Sequence, residues 1–170
     1  MKRMRRLRYQ VAVSLDGFIA DPEGSADWIP MDPDIDFDAL LAQFDTFLMG
    51  RRTYETSGAL VSEQRVVVVS TTLDPAAHPG LTVIADDLAA RVAALKAEPG
   101  KDIWLFGGGE LFRSLLAEHL VDTVEPAIIP VLLGEGVPFL PDPAVRTQLT
   151  LRSHHVYERS GIVLLEYDVR

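Results

Sequence analysis

The chain has 170 residues, of which 48% are hydrophobic, and it carries a formal net charge of −9 with no cysteine. This length and composition predict one domain over residues 1–170 with a sizeable core, and they exclude disulfides and thiolate metal sites. The longest apolar runs are too short to span a bilayer and the start does not fit a signal peptide, so we expect a cytoplasmic protein without a membrane partner.

Basic residues are concentrated at the start of the chain. Five of the sixteen lie in the first eight positions, which leaves eleven basic against twenty-five acidic residues in the remainder. We therefore expect residues 1–8 to form a flexible basic arm. Because a nucleic-acid binder needs a basic face, we expect no nucleic-acid partner. No constellation of metal-ligating side chains stands out, so no metal site is predicted.

Strands and helices alternate along the chain. Apolar strands are predicted at 7–15, 46–50, 64–70, 81–85 and 101–106, and helices at 36–44, 51–58, 86–98 and 109–120. Residues 20–34, rich in Pro, Gly, Asp and Ser, predict a long ordered loop. The alternation is typical of an α/β fold with a mostly parallel central sheet covered on both faces. Residues 149–169 predict an antiparallel hairpin that closes it.

Three of the predicted strands end in glycines or hydroxyl residues: MGRRT (49–53), STT (70–72) and GGG (107–109). Ligands of open α/β sheets bind beyond the carboxyl ends of the strands, where helix N-termini and arginines favour phosphates. Together the three junctions indicate a ligand with several phosphates, and a dinucleotide fits. For any one junction the alternative stays open: solvated arginines, ordinary turn hydroxyls, or glycines that allow close packing.

The ordered motifs SLDGFIA (14–20), MGRRTYE (49–55) and FGGGELF (106–112) resemble the dihydrofolate reductase superfamily. The chain looks most like the branch formed by the C-terminal reductase domain of the riboflavin-biosynthesis deaminase-reductase and its stand-alone relatives. The resemblance extends from Tyr9 to Tyr167. It implies a dihydrofolate-reductase-like three-layer sandwich and an NADPH-dependent reductase that transfers a hydride to a small heterocyclic substrate.

The resemblance also implies a set of site residues. Residues matching the cofactor-binding positions of the superfamily would contact NADPH: Ala12, Ile19, Trp28, Gly50, Arg51, Arg52, Thr53, Ser70, Thr71, Gly107, Gly108, Gly109, Glu110, Leu111 and Phe112. A cis peptide bond between Gly107 and Gly108 is implied as well. Residues near the expected substrate position are Trp28, Asp36, Phe37 and Leu40.

The substrate side departs from the family pattern. Between Gln10 and Gly50 there is no Lys or Arg, but there are nine acids: Asp16, Asp21, Glu23, Asp27, Asp32, Asp34, Asp36, Asp38 and Asp45. Ala26 and Phe106 stand where the riboflavin branch has a serine and an acid. Ribose phosphates and folate glutamates normally meet basic groups, although Arg146, Arg152 or a partner subunit could supply them.

Several activities therefore remain open. The nearest named activity is 5-amino-6-(5-phosphoribosylamino)uracil reduction, and the alternatives are dihydrofolate reduction, a non-catalytic NADPH-binding module and a domain without cofactor. The proton donor is unknown. Asp36 and Asp16 are candidates, but Asp34 or Asp36 could instead cap the helix at 36–44, a role favoured for Asp34, and Asp16 could simply turn its loop. An apolar segment at 125–140 and the dimers known among relatives favour a homodimer.

Overall fold

The computed structural model describes residues 4–61 and 63–170. Its strands are β1 (Leu7–Ser14), β2 (Phe18–Ala20), β3 (Phe44–Gly50), β4 (Arg65–Val69), β5 (Thr82–Ile84), β6 (Asp102–Gly107), β7 (Thr123–Ile129), β8 (Val137–Pro138), β9 (Leu149–Tyr157) and β10 (Ile162–Val169). Its α-helices are α1 (Phe37–Leu41), α2 (Arg51–Ser57), α3 (Leu88–Ala97) and α4 (Gly109–Ala117). No helix in the described ranges has the length and apolarity needed to cross a bilayer.

Eight strands form one sheet in the order β5-β4-β3-β6-β1-β7-β10-β9. Neighbours from β5 to β7 run parallel, whereas β10 is antiparallel to both β7 and β9. The predicted mostly parallel sheet closed by a C-terminal hairpin is thereby confirmed. The short strands β2 and β8 form a separate antiparallel pair.

The two faces of the sheet are covered differently. On one face, α3 and α4 pack on β1, β3–β6 and β7 around buried residues such as Phe112 and Leu105. On the other face, α1 and α2 pack only over β3, β4 and β6, around Phe47 and Met49. Within the described ranges no helix packs over β1, β7 and β10 on that second face, and the segment before α1 forms the wall of a cavity there.

Two local predictions are wrong. The helix expected over 36–44 ends at Leu41, since Phe44 is only 2% exposed and already belongs to β3. Residues 5–8 are not part of a flexible arm. The Arg5 side chain is buried, pairs with Asp45 and donates to the Thr46 hydroxyl at 2.6 Å, and Leu7 opens β1. Residues 1–3 of the expected arm lie outside the described residues.

A buried ion pair joins β1 to β7. Arg8 donates from Nε and Nη2 to the two carboxylate oxygens of Glu125, both at 2.8 Å, and the Thr123 hydroxyl donates to the same carboxylate. Burial alone would lower the pKa of Arg8, but the hydrogen bonds and charge of Glu125 raise it above its ordinary value. The guanidinium is therefore held firmly beneath the cavity.

The long loop before α1 is tied to the C-terminal hairpin. The Asp32 carboxylate accepts hydrogen bonds from the backbone N–H groups of Ser160 at 3.1 Å and Asp34 at 2.8 Å. The hydrogen bond from the Ser160 side chain, with these N–H groups, lowers the pKa of Asp32. Two segments far apart in sequence are thus fixed to each other by one carboxylate.

Replacing Glu125 with Leu removes the carboxylate from the buried pair. We expect Glu125→Leu to lower the free energy of unfolding by about 3 kcal/mol, because the buried guanidinium loses its bidentate partner and keeps only Gln43 and, at 3.6 Å, Asp102. Urea titration followed by circular dichroism measures this loss. The double variant Arg8→Met/Glu125→Leu is the control and should be less destabilised than the single one; equal or greater destabilisation would contradict the role given to the pair.

Asp32→Asn tests the link between loop and hairpin. Since the folded-state pKa lies below the unfolded value of about 3.9, the carboxylate stabilises the fold above that pH and loses its effect as the pH falls through the folded pKa. We expect wild type to exceed Asp32→Asn in melting temperature at pH 7, with the difference shrinking at pH 3. Asp27→Asn, in the exposed part of the same loop, is the control and should show no pH-dependent difference in melting temperature from wild type. If the difference for Asp32→Asn were the same at pH 7 and pH 3, the mechanism would be wrong.

Candidate functional site

The carboxyl ends of β3, β4 and β6 meet at one edge of the sheet. In the parallel register Met49 lies opposite Gly107 on β6 and Val68 on β4. Each strand ends within a residue or two of this row, so the three junctions singled out in the sequence are brought together. Because they come from different parts of the chain, only the strand order makes them neighbours.

The glycine turn after β6 lies against the first turn of α2. The Gly107–Gly108 peptide bond is cis, as the resemblance implies. A Cβ added to Gly107 or Gly108 would lie 3.5 Å or 3.6 Å from the Thr53 hydroxyl. Gly108 caps α4 without a side-chain hydrogen bond to the helix. The turn therefore leaves the first backbone N–H groups of α4 uncapped by any side chain, as an anion-binding helix start requires.

The third glycine has a packing role. A Cβ on Gly109 would lie 2.5 Å from the Pro138 carbonyl oxygen and 3.0 Å from Pro141 Cδ. Gly109 thus lets α4 approach the segment around β8, which is the close-packing alternative raised from the sequence. The first two glycines face the expected ligand edge, and the third holds the helix in place.

Arg51 connects the β3 and β4 junctions. Its Nη1 donates to the Thr72 hydroxyl at 2.8 Å, and its Nε lies 3.3 Å from Glu55. The Arg52 side chain is exposed and has no hydrogen bond or ion pair within 4–61 and 63–170. Two guanidiniums and the exposed Thr71 therefore border the edge where a phosphate is expected.

Ser70 is largely occupied by its own turn. Its hydroxyl oxygen accepts the backbone N–H groups of Thr72 at 3.1 Å and Leu73 at 3.0 Å. The ordinary-turn interpretation therefore accounts for Ser70. Gly50, at the neighbouring junction, borders open space, because a Cβ added to it would meet nothing within 4 Å.

Other residues expected at the cofactor site have side chains that are engaged within the protein. The side chains of Leu111 and Phe112 are in the core, and Phe112 stacks on Tyr9 with ring centroids 3.8 Å apart. The Glu110 carboxylate pairs with Arg113. Ile19 lies on β2, which pairs with β8, the strand whose Pro138 is approached closely by Gly109.

A cavity of about 450 Å³ opens over β1, β7 and β10, on the sheet face where α1 and α2 cover only the other strands. Its floor is a cross-strand row in which Ala12, Ala127 and Leu164 lie opposite one another. Among the residues expected near a substrate, Asp36, Phe37 and Leu40 line the cavity, and Trp28 is not one of the described residues that do so. The cavity is mostly apolar, as small-molecule sites usually are.

The candidate proton donors are placed differently. The Asp16 carboxylate accepts the Ser14 hydroxyl at 2.7 Å and the N–H groups of Leu133 and Gly134, and the Ser14 bond in particular lowers its pKa. It anchors a loop and is not a cavity residue. Asp36 lines the cavity but also caps α1 by accepting the Ala39 N–H at 2.9 Å. Asp34, which the sequence analysis favoured as the cap of this helix, instead has its carboxylate Oδ2 3.5 Å from Arg159 Nε.

Several cavity residues were not predicted. His155 and Tyr157 reach it from β9, and Gln10 reaches it from β1. Burial, with a smaller effect from the Asp32 charge, raises the pKa of Tyr157. Gln10 had a signal in the sequence, a polar residue between apolar ones in RYQVAVS (8–14), but the hairpin residues had none that would place them here. No group of three or more potential metal ligands occurs in the described part of the chain.

Comparison with known proteins identifies the family. The model of the RibD C-terminal domain matches residues 5–164. YyaP, an uncharacterized protein of Bacillus subtilis (strain 168), is 35% identical over 97% of this chain and 95% of its own. A structure from Shewanella sp. PV-4 assigned to riboflavin biosynthesis has a TM-score of 0.81 at 25% identity, covering 97% of this chain and 99% of that one.

A more distant neighbour shows how widely the fold is shared. Dihydrofolate reductase from Enterococcus faecalis, determined with NADP(H), has a TM-score of 0.68 at 17% identity, covering 97% of this chain and 96% of that one. The architecture implied by the sequence motifs is thus confirmed. The chain belongs to the RibD C-terminal domain family and has a dihydrofolate-reductase-like fold.

Proposed function

We propose that this protein is an NADPH-dependent reductase that transfers a hydride to a small heterocyclic substrate. The observation that carries the proposal is the meeting of the three junctions at one sheet edge, in a sheet whose β1, β6, β7 and β10 residues line an apolar cavity. Arg51 and Arg52 supply positive charge there, and the turn at Gly107–Gly108 leaves the start of α4 uncapped by a side chain. These groups fit a dinucleotide diphosphate.

The adjacent cavity fits the reacting end of such a complex. When bound, NADPH would supply the hydride. Ala12 keeps the floor flat, and the apolar lining from Trp104, Ile129 and Leu164 excludes water, so the contribution of the protein is mainly orientation and dehydration. Of the two carboxylates considered for proton transfer, Asp36 is the one that lines the cavity.

The nearest named activity is 5-amino-6-(5-phosphoribosylamino)uracil reduction, as in riboflavin biosynthesis. Dihydrofolate reduction and a non-catalytic NADPH-binding module are the alternatives. Consumption of NADPH, followed by its absorbance in the presence of each candidate substrate, separates the enzymes from the binding module. We place the activity in the cytoplasm.

Titration with NADPH tests the proposal first. We expect quenching of tryptophan fluorescence to report binding, and Arg51→Ala to weaken it by about 10- to 150-fold, the effect of losing one charge-assisted hydrogen bond of about 1.5–3 kcal/mol. NADH should bind more weakly than NADPH. Arg65→Ala is the matched control. Arg65 is the first residue of β4 and pairs with Glu98, so it lies at the amino ends of the strands and not at the carboxyl ends where the three junctions meet. If wild type binds neither nucleotide, the proposed function is wrong.

We also propose that the protein is a homodimer. Strand β9 is the outermost strand on one side of the sheet. A bulge in its pairing with β10 keeps three apolar side chains on one face of β9. Leu149, Leu151 and Val156 are 39%, 53% and 50% exposed there. Apolar edge strands favour pairing with another chain. The segment at 125–140 also exposes apolar residues, Leu132 at 69% and Val137 at 38%, although Ile129 within it is buried.

Light scattering after gel filtration tests the dimer. We expect a mass twice the 18.7 kDa of one chain, and a single-chain mass for Leu151→Lys, because a lysine on the β9 face would be buried between copies. Leu60→Lys changes an exposed leucine outside this face and should leave the dimer intact. A monomeric wild type would rule the proposal out.

A further inference from the structure

The carboxylates that line the cavity in the described structure are each engaged by other groups of the protein. Asp36 caps α1, and Asp34 lies 3.5 Å from Arg159. Glu166 accepts the Ser153 hydroxyl at 2.7 Å. Reduction of a C=N or C=O bond requires a proton as well as a hydride, so a group with a free donor is the stronger candidate for supplying that proton.

Tyr157 brings a free hydroxyl to the cavity. Its side chain lines the cavity from β9 and is half-buried. Within residues 4–61 and 63–170 the hydroxyl makes no hydrogen bond, and it is not one of the fully buried polar atoms that lack a partner. The hydroxyl therefore keeps accessible surface, and a molecule bound in the cavity can reach it.

The strand register places Tyr157 towards the carboxyl end of the sheet. β9 is antiparallel to β10, which is antiparallel to β7, so β9 runs in the same direction as β1. His155 is level with Leu164 in the floor, and Tyr157 follows it opposite Ile162. Arg8, near the start of β1, is at the other end of the cavity. The three strand junctions also lie at carboxyl ends, so Tyr157 is at the same end of the sheet as the expected cofactor edge.

The surroundings of Tyr157 keep its hydroxyl protonated at neutral pH. Burial, with a smaller effect from the charge of Asp32, raises the pKa of Tyr157 above its ordinary value of about 10. The ring of His155 packs edge-on against that of Tyr157, with centroids 4.5 Å apart, and His155 is exposed at the rim. The other charged side chains that line the cavity in the described part of the chain are Arg8, Asp34, Asp36 and Glu166.

We propose that Tyr157 is a catalytic residue of this site, the general acid that protonates the substrate. Tyr157 gives its hydroxyl proton to the nitrogen or oxygen of a C=N or C=O bond, while the carbon of that bond receives the hydride, with its two electrons, from NADPH. The double bond becomes a single bond, NADP⁺ is left, and the tyrosinate recovers a proton from water at the rim beside His155.

This inference rests on the proposed function, because it treats the cavity as the substrate site. It goes further by naming the proton donor, which is a hydroxyl of the C-terminal hairpin in place of the carboxylates considered from the sequence.

Fluorine NMR of the full chain labelled with 3-fluorotyrosine tests whether substrate contacts Tyr157, without requiring turnover. The chain has four tyrosines, and Tyr157→Phe identifies the resonance of interest. We expect this resonance to shift when 5-amino-6-(5-phosphoribosylamino)uracil or dihydrofolate is added with NADP⁺. The resonance of Tyr167 should stay in place, because Tyr167 is on β10 but is not one of the described residues that line the cavity.

The rate of NADPH consumption tests the proton transfer itself. We expect Tyr157→Phe to lower kcat by about 100- to 10,000-fold, the typical contribution of a general acid, with KM little changed. In wild type, kcat should fall as the pH rises through the raised pKa of Tyr157, because the tyrosinate has no proton to give. This alkaline fall should be absent from Tyr157→Phe. Tyr167→Phe is the matched control and should behave as wild type.

Circular dichroism and NADPH titration establish that each variant is folded and binds the cofactor. The inference is overturned if the Tyr157 resonance moves with neither compound, if wild type binds NADPH but reduces neither, if Tyr157→Phe keeps the wild-type kcat, or if it keeps the alkaline fall. A failure of the proposed function is distinguishable, since it appears as the absence of NADPH binding by wild type, which does not involve Tyr157.

Discussion

The pairing of β3 with β6 is the constraint on which the site depends. These strands are separated by more than fifty residues in the chain, yet their register puts Met49 opposite Gly107. That one alignment brings Thr53 against the glycine turn and sets the start of α2 beside the start of α4. The Arg51–Thr72 hydrogen bond then adds β4 to the same edge. A shift of this register would separate the glycine turn after β6 from the two junctions after β3 and β4.

The sequence predicted the larger features of the fold because each has a strong local signal. Buried parallel strands appear as continuous apolar runs such as VVVV (66–69), and the hairpin at 149–169 as two alternating runs. Short elements lacked such signals. Helix α1 has no buried residue and ends where Phe44 enters the sheet, and β2 and β8 are held by pairing with each other. Tertiary contacts, more than propensity, decide these elements.

The two parts of the candidate site, the three strand junctions and the cavity, also differ in how much of each could be predicted from the sequence. The three junctions were visible because glycines, hydroxyls and arginines follow strands directly, although their roles came from the family resemblance. The cavity was only partly visible. His155 and Tyr157 reach it through the register of β9 on β10, and Asp16 was a catalytic candidate in sequence while its contacts are those of a loop anchor. Cross-strand register and loop hydrogen bonds have no simple trace in a sequence.

The Arg8–Glu125 pair also bears on how this domain could diverge. Loss of the Glu125 carboxylate would leave the guanidinium beneath the cavity with only Gln43 and, at 3.6 Å, Asp102, and would thereby make the cavity less repellent to anions through a single substitution. The same substitution would leave a charge buried in the sheet, and the fold would be weakened before any new ligand arrived. A lineage could acquire a phosphorylated substrate by this route only after stabilising changes elsewhere had accumulated. One carboxylate therefore links the chemical preference of the pocket to the mutational tolerance of the whole domain.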